Sequence, residues 1–341
     1  ADNNTAVGYL ALTANTTGTS NTAIGKGSLD ANTTGGYCTA VGQGALGANT
    51  TASDNTAVGR DSLLANTTGS SNTAVGNNSL NSSTTASYNT ALGKNSLLSS
   101  TTASYNTAVG VNSLDALTTG NSNVAVGYDA LGKNTTDVAN VAVGYAALED
   151  ANGSGFCTAL GYAAGKDLTT GDNNLCLGYN AGASASPSGT LTTESNEICL
   201  GDSSISQAHI QVDWTVASDQ RDKTDFTALD VGLDFVKALE PVTYKWDKRS
   251  KYAEEGDDLD TVTHDGTHKE DWLDIGFKAQ EVEALEIAAG YNKSNKTNLT
   301  TTLTSDGKQY GIQYSKFVPI LVKSIQELSA KVEDLEKQLN N

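Results

Sequence analysis

The sequence predicts a mainly β protein, a parallel solenoid of 17-residue coils followed by an α+β domain that ends in a coiled coil. Three observations predict it. A short motif ending in Gly recurs with its Gly at 8, 25, 42, 59, 76, 93, 110, 127, 144, 161 and 178, at a constant interval of 17. An unvarying short period marks a chain in which each unit is one coil stacked on the last. The constant positions of the unit, roughly N-T-A-V-G-x-x-S-L-x-x-N-T-T-G-x-x, hold Thr and Val, which favour strand. Finally, 20 of the first 217 residues are charged against 40 of the last 124, so the composition changes near residue 217.

Each coil places Val, Ile or Leu before the Gly (Val7, Ile24, Val41, Leu92), Ala or Cys before that, and Thr, Val, Leu or Ile one step further back. Alternate strand residues point to opposite faces, so one face shows Thr and Val and the other Ala and Gly. Neither face is a charged, solvated one. A strand apolar or small on both sides is covered on both: one side by the inside of the coil, the other most simply by identical neighbouring chains. The pattern leaves open which face is which. Leu four positions after the Gly, from Leu12 to Leu148, supplies a second buried row. At about 4.8 Å per coil, eleven coils make a rod of about 50 Å. A twelfth copy ends at Gly201 after 23 residues, its extra residues falling around Ser186, Pro187, Ser188 and Gly189.

NTAIGKGSL at 21–29 and NTAVGNNSL at 72–80 resemble the head repeats of trimeric autotransporter adhesins, a motif that phage fibres share. The resemblance spans about residues 1–201 and implies a left-handed parallel β-roll in a homotrimer. Tyr128, Tyr145, Tyr162 and Tyr179 follow the motif Gly in successive coils and form a candidate glycan surface. Ladder packing that stiffens the rod is the favoured reading. The Asn-Thr-Thr rows at 15–17, 32–34 and 66–68 could form a sugar-reading or ice-like array, but they fit better as turns that satisfy the backbone. Cys38 and Cys157 take the Asn position, Cys176 and Cys199 the Ala position, and none has metal-site spacing.

After residue 217 the chain reads SDQRDK at 218–223, then VGLDFVKALEPVTYKW, helix followed by strand. A polar, acidic excursion runs from Asp247 to Asp271. DIGFKAQEVEAL at 274–285 reads as strand into helix. In the last segment Val318, Leu321, Ile325, Leu328, Val332, Leu335 and Leu339 alternate spacings of three and four, a coiled-coil seam over about 317–340. Pro319 belongs in the first helical turn or at a kink.

The blocks SDQRDK, EPVTYKW, GFKAQEVE and YSKFVPILVKSIQEL together resemble the self-cleaving intramolecular chaperone at the C-terminus of phage tailspikes, endosialidases and tail fibres. The resemblance covers residues 218–341. It implies a domain that trimerises, guides folding of the β-rich segment before it, and cuts itself away between Ala217 and Ser218. The dyad it implies falls on Ser218 as nucleophile and Lys223 as base. The chain departs from the family in the long acidic excursion and in Lys278, where an apolar residue is usual. The chemistry stands by itself too: a Ser hydroxyl needs a base, and a Lys serves when desolvation or a neighbouring cation lowers its pKa. Arg221 is the candidate neighbour, and Asp219 could orient it or pair across the trimer. Turnover would be single, with no external substrate.

The remaining features argue by exclusion. The 21 basic and 39 acidic side chains leave a formal charge of −18, unsuited to a nucleic-acid backbone. No apolar run is long enough to span a bilayer, and the N-terminus lacks the pattern of a signal peptide. Met is absent, position 1 included, which suggests a fragment or processed product. His264 and His268 lie in the polar excursion without a third ligand, so neither metal nor cofactor is expected. No carboxylate pair is placed as a glycosidase needs.

The expectation is a virion protein, the distal part of a tail fibre or spike. Residues 1–201 are the rod, 202–217 a neck containing Trp214, and 218–341 the chaperone. Its partners would be two further copies, upstream fibre or virion proteins, and a host cell-surface glycan or protein receptor. A bacterial trimeric adhesin, which would need a C-terminal membrane barrel, an ice-binding solenoid resting on the Thr rows alone, and a permanent uncleaved trimerisation cap are the alternatives.

Overall fold

The computed structural model describes residues 2–183, 186, 189–211, 214–253, 261–295, 297–304 and 307–340. Pro187 and Ser188 of the insertion, Ala1, and residues 254–260 of the acidic excursion lie outside the described residues. The chain divides into two compact units, 1–204 and 205–341.

Twelve three-residue strands build the first unit. β1 to β12 are Thr5–Val7, Thr22–Ile24, Thr39–Val41, Thr56–Val58, Thr73–Val75, Thr90–Leu92, Thr107–Val109, Val124–Val126, Val141–Val143, Thr158–Leu160, Leu175–Leu177 and Ile198–Leu200. They form one parallel sheet in chain order, with Thr5 beside Thr22, Ala6 beside Ala23 and so on to Leu177 beside Leu200. The central Ala or Cys of each strand from β2 to β12 is buried, while its two neighbours are half-buried or exposed. Ala therefore faces the coil interior, and Thr and Val face outward. That settles the orientation the alternating pattern could not, since both faces carry small or apolar side chains.

Backbone pairing lets so polar a sequence fold. Thr56 N–H donates to Asn72 O (2.8 Å), Leu63 to Ser79 O (3.0 Å), Ala65 to Asn81 O (3.0 Å) and Thr67 to Thr84 O (2.9 Å), each on the next coil. Peptide groups outside the strands are thus satisfied as well. The Asn-Thr-Thr rows are turns: Asn66 Nδ2 donates to Gly69 O (2.9 Å), and Thr67 Oγ1 to Thr84 O (3.0 Å). A second Asn row runs inside the coil, where Asn72 donates through its backbone N–H to Asn55 Oδ1 (2.9 Å) and through Nδ2 to Ala86 O (2.8 Å). Cys38 fits that row because its thiol donates to Ala52 O (3.4 Å), as the Asn amide does elsewhere. Burial pushes the Cys38 and Cys157 thiols up.

Two backbone positions impose residue type. From Gly8 to Gly161 the motif Gly has φ between +133° and +143°, and a methyl group at Gly76 would come within 2.6 Å of the Gly93 carbonyl carbon. The Leu four positions on also has positive φ, from +48° at Leu80 to +55° at Leu12. A left-handed conformation costs a non-Gly residue about 1–2 kcal/mol. From Leu29 to Leu148 the side chain in this row is almost wholly buried, which returns about 1.5–3 kcal/mol.

The second unit has its own core of Val231, Phe235, Val282, Phe317 and Ile320. Helix α1 (Leu233–Ala238) packs on α3 (Phe317–Leu339), and β13 (Val242–Tyr244) pairs antiparallel with β14 (Asp274–Gly276), which leads into α2 (Ala279–Ala288). Pro319 sits in the first turn of α3. A hairpin that the pattern did not reveal, β15 (Thr301–Leu303) and β16 (Tyr310–Ile312), packs on α2. Glu286 of α2 holds it. Its buried carboxylate accepts from Thr300 N (2.7 Å) and Oγ1 (2.6 Å), and from Thr301 N (3.0 Å) and Oγ1 (2.8 Å). Burial pushes its pKa up, but these bonds together outweigh burial and hold it below the usual carboxylate range. Glu327 of α3 accepts from Leu233 N (2.7 Å), capping α1 and tying the two helices together.

Candidate functional site

Residues 214–219 belong to no helix or strand, and Trp214 and Val216 are exposed. At Asp219 the chain turns. The Asp219 carboxylate accepts from Arg221 N–H (2.9 Å) and caps a 3-10 turn at Gln220–Asp222. Lys223 N–H donates to Gln220 O (3.2 Å), so the turn folds the chain back on itself. That places Lys223 Nζ 2.5 Å from Ser218 Oγ and 3.4 Å from Ser218 O. The five-residue spacing of this pair therefore has a local cause, one capped turn.

Arg221, the candidate neighbour of Lys223, pairs with Asp219. Its Nε lies 3.1 Å from both Asp219 oxygens and its Nη2 2.6 Å from Oδ2. The pairing lowers the Asp219 pKa and raises that of Arg221. Arg221 has its charge offset by its own neighbour, so Asp219 orients it within the chain. Ser218, Asp219, Arg221 and Lys223 are all exposed in the single chain. An amine so placed can take the hydroxyl proton only where something shields it from water.

The outward stripe of α3 is the second candidate surface. Leu321, Ile325, Leu328, Val332, Leu335 and Leu339, with Val318, are all exposed, whereas Phe317, Ile320 and Ser324 face the core. One helix thus carries two apolar faces, one packed and one open.

On the rod, Tyr128, Tyr145, Tyr162 and Tyr179 stack with centroids 5.3, 4.9 and 5.5 Å apart. Neighbouring rings stack face to face, and all four side chains remain about half exposed. Sugar stacking uses ring faces, so the geometry favours the stiffening role, with free faces only at the ends of the ladder. A second stack, Tyr88 on Tyr105 at 5.1 Å, escaped the sequence reading. Its signal was there: Tyr37, Tyr88, Tyr105 and Phe156 share one repeat position. Glu286 also escaped, because in AQEVEALE it looks like any solvated helix Glu. His264 Nδ1 lies 3.1 Å from the Asp247 carbonyl, and the Tyr252 and His268 rings meet edge to face. Among the described residues no three His, Cys, Asp or Glu side chains are grouped to hold a metal.

Compared with known proteins, residues 218–291 match the family described as the chaperone of endosialidase. That stretch opens on Ser218 and includes α1, β13, β14 and α2. No curated protein and no solved structure matches the chain.

Proposed function

We propose that this chain, a β-solenoid joined to an endosialidase-type chaperone domain, is the distal segment of a phage tail fibre or tailspike. Three copies assemble, the C-terminal domain aligns them, and that domain then releases itself between Ala217 and Ser218. The mature rod belongs to the virion, joins upstream fibre proteins, and serves attachment to a host glycan or protein receptor. The approach of Lys223 Nζ to Ser218 Oγ, 2.5 Å at the first residue of the matched domain, is what carries the reading.

The chemistry is an acyl shift followed by hydrolysis. Lys223 as free amine takes the Ser218 hydroxyl proton while Oγ attacks the Ala217 carbonyl carbon. The C–N bond breaks, the Ser218 nitrogen leaves as an amine after receiving a proton from Lys223, and Ala217 is left as an ester on Oγ. Water then cleaves the ester, giving an Ala217 carboxylate and a chain that begins at Ser218. The small Ala217 side chain leaves the carbonyl open to attack.

Denatured mass decides it. Freshly purified protein should give fragments of 217 and 124 residues, while Ser218→Ala and Lys223→Arg stay at 35.2 kDa, the Arg because it cannot lose its proton. An intact parent chain would support the second reading, a permanent trimerisation cap, which the exposure of the dyad in the single chain favours.

A further inference from the structure

One interior row of the rod changes chemistry part-way along. Seven positions after each motif Gly, successive coils hold Asn15, Asn32, Asn49, Asn66, Ser83, Ser100 and Leu117. The Asn members form a ladder: Asn32 Nδ2 donates to Asn15 Oδ1 (3.0 Å), Asn49 to Asn32 (2.9 Å) and Asn66 to Asn49 (3.1 Å). Each Nδ2 also reaches a carbonyl three residues on, as from Asn66 to Gly69 O (2.9 Å). At Ser83 the side chain becomes two heavy atoms shorter and the ladder stops.

Three polar atoms in consecutive coils are then left buried without a partner: Asn66 Oδ1, Ser83 Oγ and Ser100 Oγ. All three residues are in the closed interior of the coil. The carbonyls beside them have capacity to spare. Gly69 O accepts two carboxamides, from Asn55 (2.8 Å) and Asn66 (2.9 Å). Ala86 O and Ala103 O receive theirs from Asn72 and Asn89 (2.8 Å each). An unpaired buried polar group is costly, and internal water meets that cost where it finds about three partners.

We propose that two ordered water molecules lie in this row, one beside Ser83 and one beside Ser100, in place of the missing carboxamide nitrogens. The first donates to Asn66 Oδ1 and Ala86 O and accepts the Ser83 hydroxyl proton in a hydrogen bond. The second donates to Ser83 Oγ and Ala103 O and accepts from Ser100. Coils are about 4.8 Å apart, so one water can bridge successive rungs. Leu117 closes the row at the next coil. The site takes small neutral molecules able to donate two bonds and accept one, and it stands whether or not the rod belongs to a fibre.

Two measurements test it. Water-oxygen-17 relaxation dispersion counts long-lived internal waters, and the Ser83→Asn/Ser100→Asn double variant, which completes the ladder, should lose two. The variant should also melt about 2–4 °C higher. A high-resolution crystal structure of the parent should show both waters within hydrogen-bond distance of the two hydroxyls. An unchanged water count in a folded variant, or a crystal structure in which the interior beside both Ser residues is dry, would overturn the proposal.

Discussion

At Leu80 two energies act in opposite directions. The side chain is fully buried, yet φ is +48°. Leu80→Ala removes the burial and keeps the strained backbone, so it should cost about 2–5 kcal/mol. Leu80→Gly removes the same burial but relieves about 1–2 kcal/mol of strain. In chemical denaturation Gly should therefore equal or exceed Ala here, the reverse of their usual order. The chain itself places Gly165 (φ +61°) and Gly182 (φ +74°) at this repeat position. Glu286 offers a second test. Replacing it by Gln leaves buried N–H and hydroxyl donors facing an amide, at a cost of about 1–3 kcal/mol. Because its folded pKa lies below the usual value, its contribution is complete above the unfolded pKa of about 4.3 and fades as pH falls through the folded one. The stability gap between Glu286→Gln and the parent should thus narrow under acid, and a gap independent of pH would refute the assignment.

Among the elements, α3 is the one whose sequence spoke most clearly. Its three-four spacing marks the stripe from Val318 to Leu339, and the structure leaves that stripe open while packing Phe317 and Ile320. Ile325→Asn with Leu328→Asn should leave the far-ultraviolet spectrum of the chain intact and shift its sedimentation toward a single copy. Unchanged sedimentation would separate the stripe from assembly. The strands were as legible as the helix, because the period fixes where each begins and who its neighbours are. Their orientation was not, since Ala on one face and Thr and Val on the other are both compatible with burial. The hairpin of β15 and β16 was hidden for another reason: Thr301, Thr302 and Leu303 follow a run of Asn, Lys and Thr, and what secures them is Glu286, distant in sequence. Ser218 and Lys223 were singled out by the resemblance of the blocks around them, since their spacing alone carries no signal, and their contact follows from the Asp219 turn. The pairing that occupies Arg221 was legible only as one alternative for Asp219.

Over the first unit as a whole, composition drifts along a constant geometry. The inner position three after the motif Gly is Ala at 11 and 45 and Ser at 28, 62, 79, 96 and 113, but Ala in every coil from there on, at 130, 147, 164 and 181. Apolar burial therefore deepens toward the C-terminal coils, and so should resistance to opening. Amide hydrogen exchange should be slowest from β8 to β11 and faster from β2 to β6. A uniform profile, or the opposite slope, would show that the drift carries no energetic weight. The direction of the bonds has another consequence. Every coil is joined to the next by N–H···O bonds that run along the axis of stacking, so a pull on the two ends loads the joints in series. Each joint carries the full force, and the weakest opens first. A released coil of 17 residues pays out about 60 Å of chain before the next is strained. A single solenoid chain under tension would lengthen in equal steps, the 23-residue coil apart, dissipating a sudden load one coil at a time.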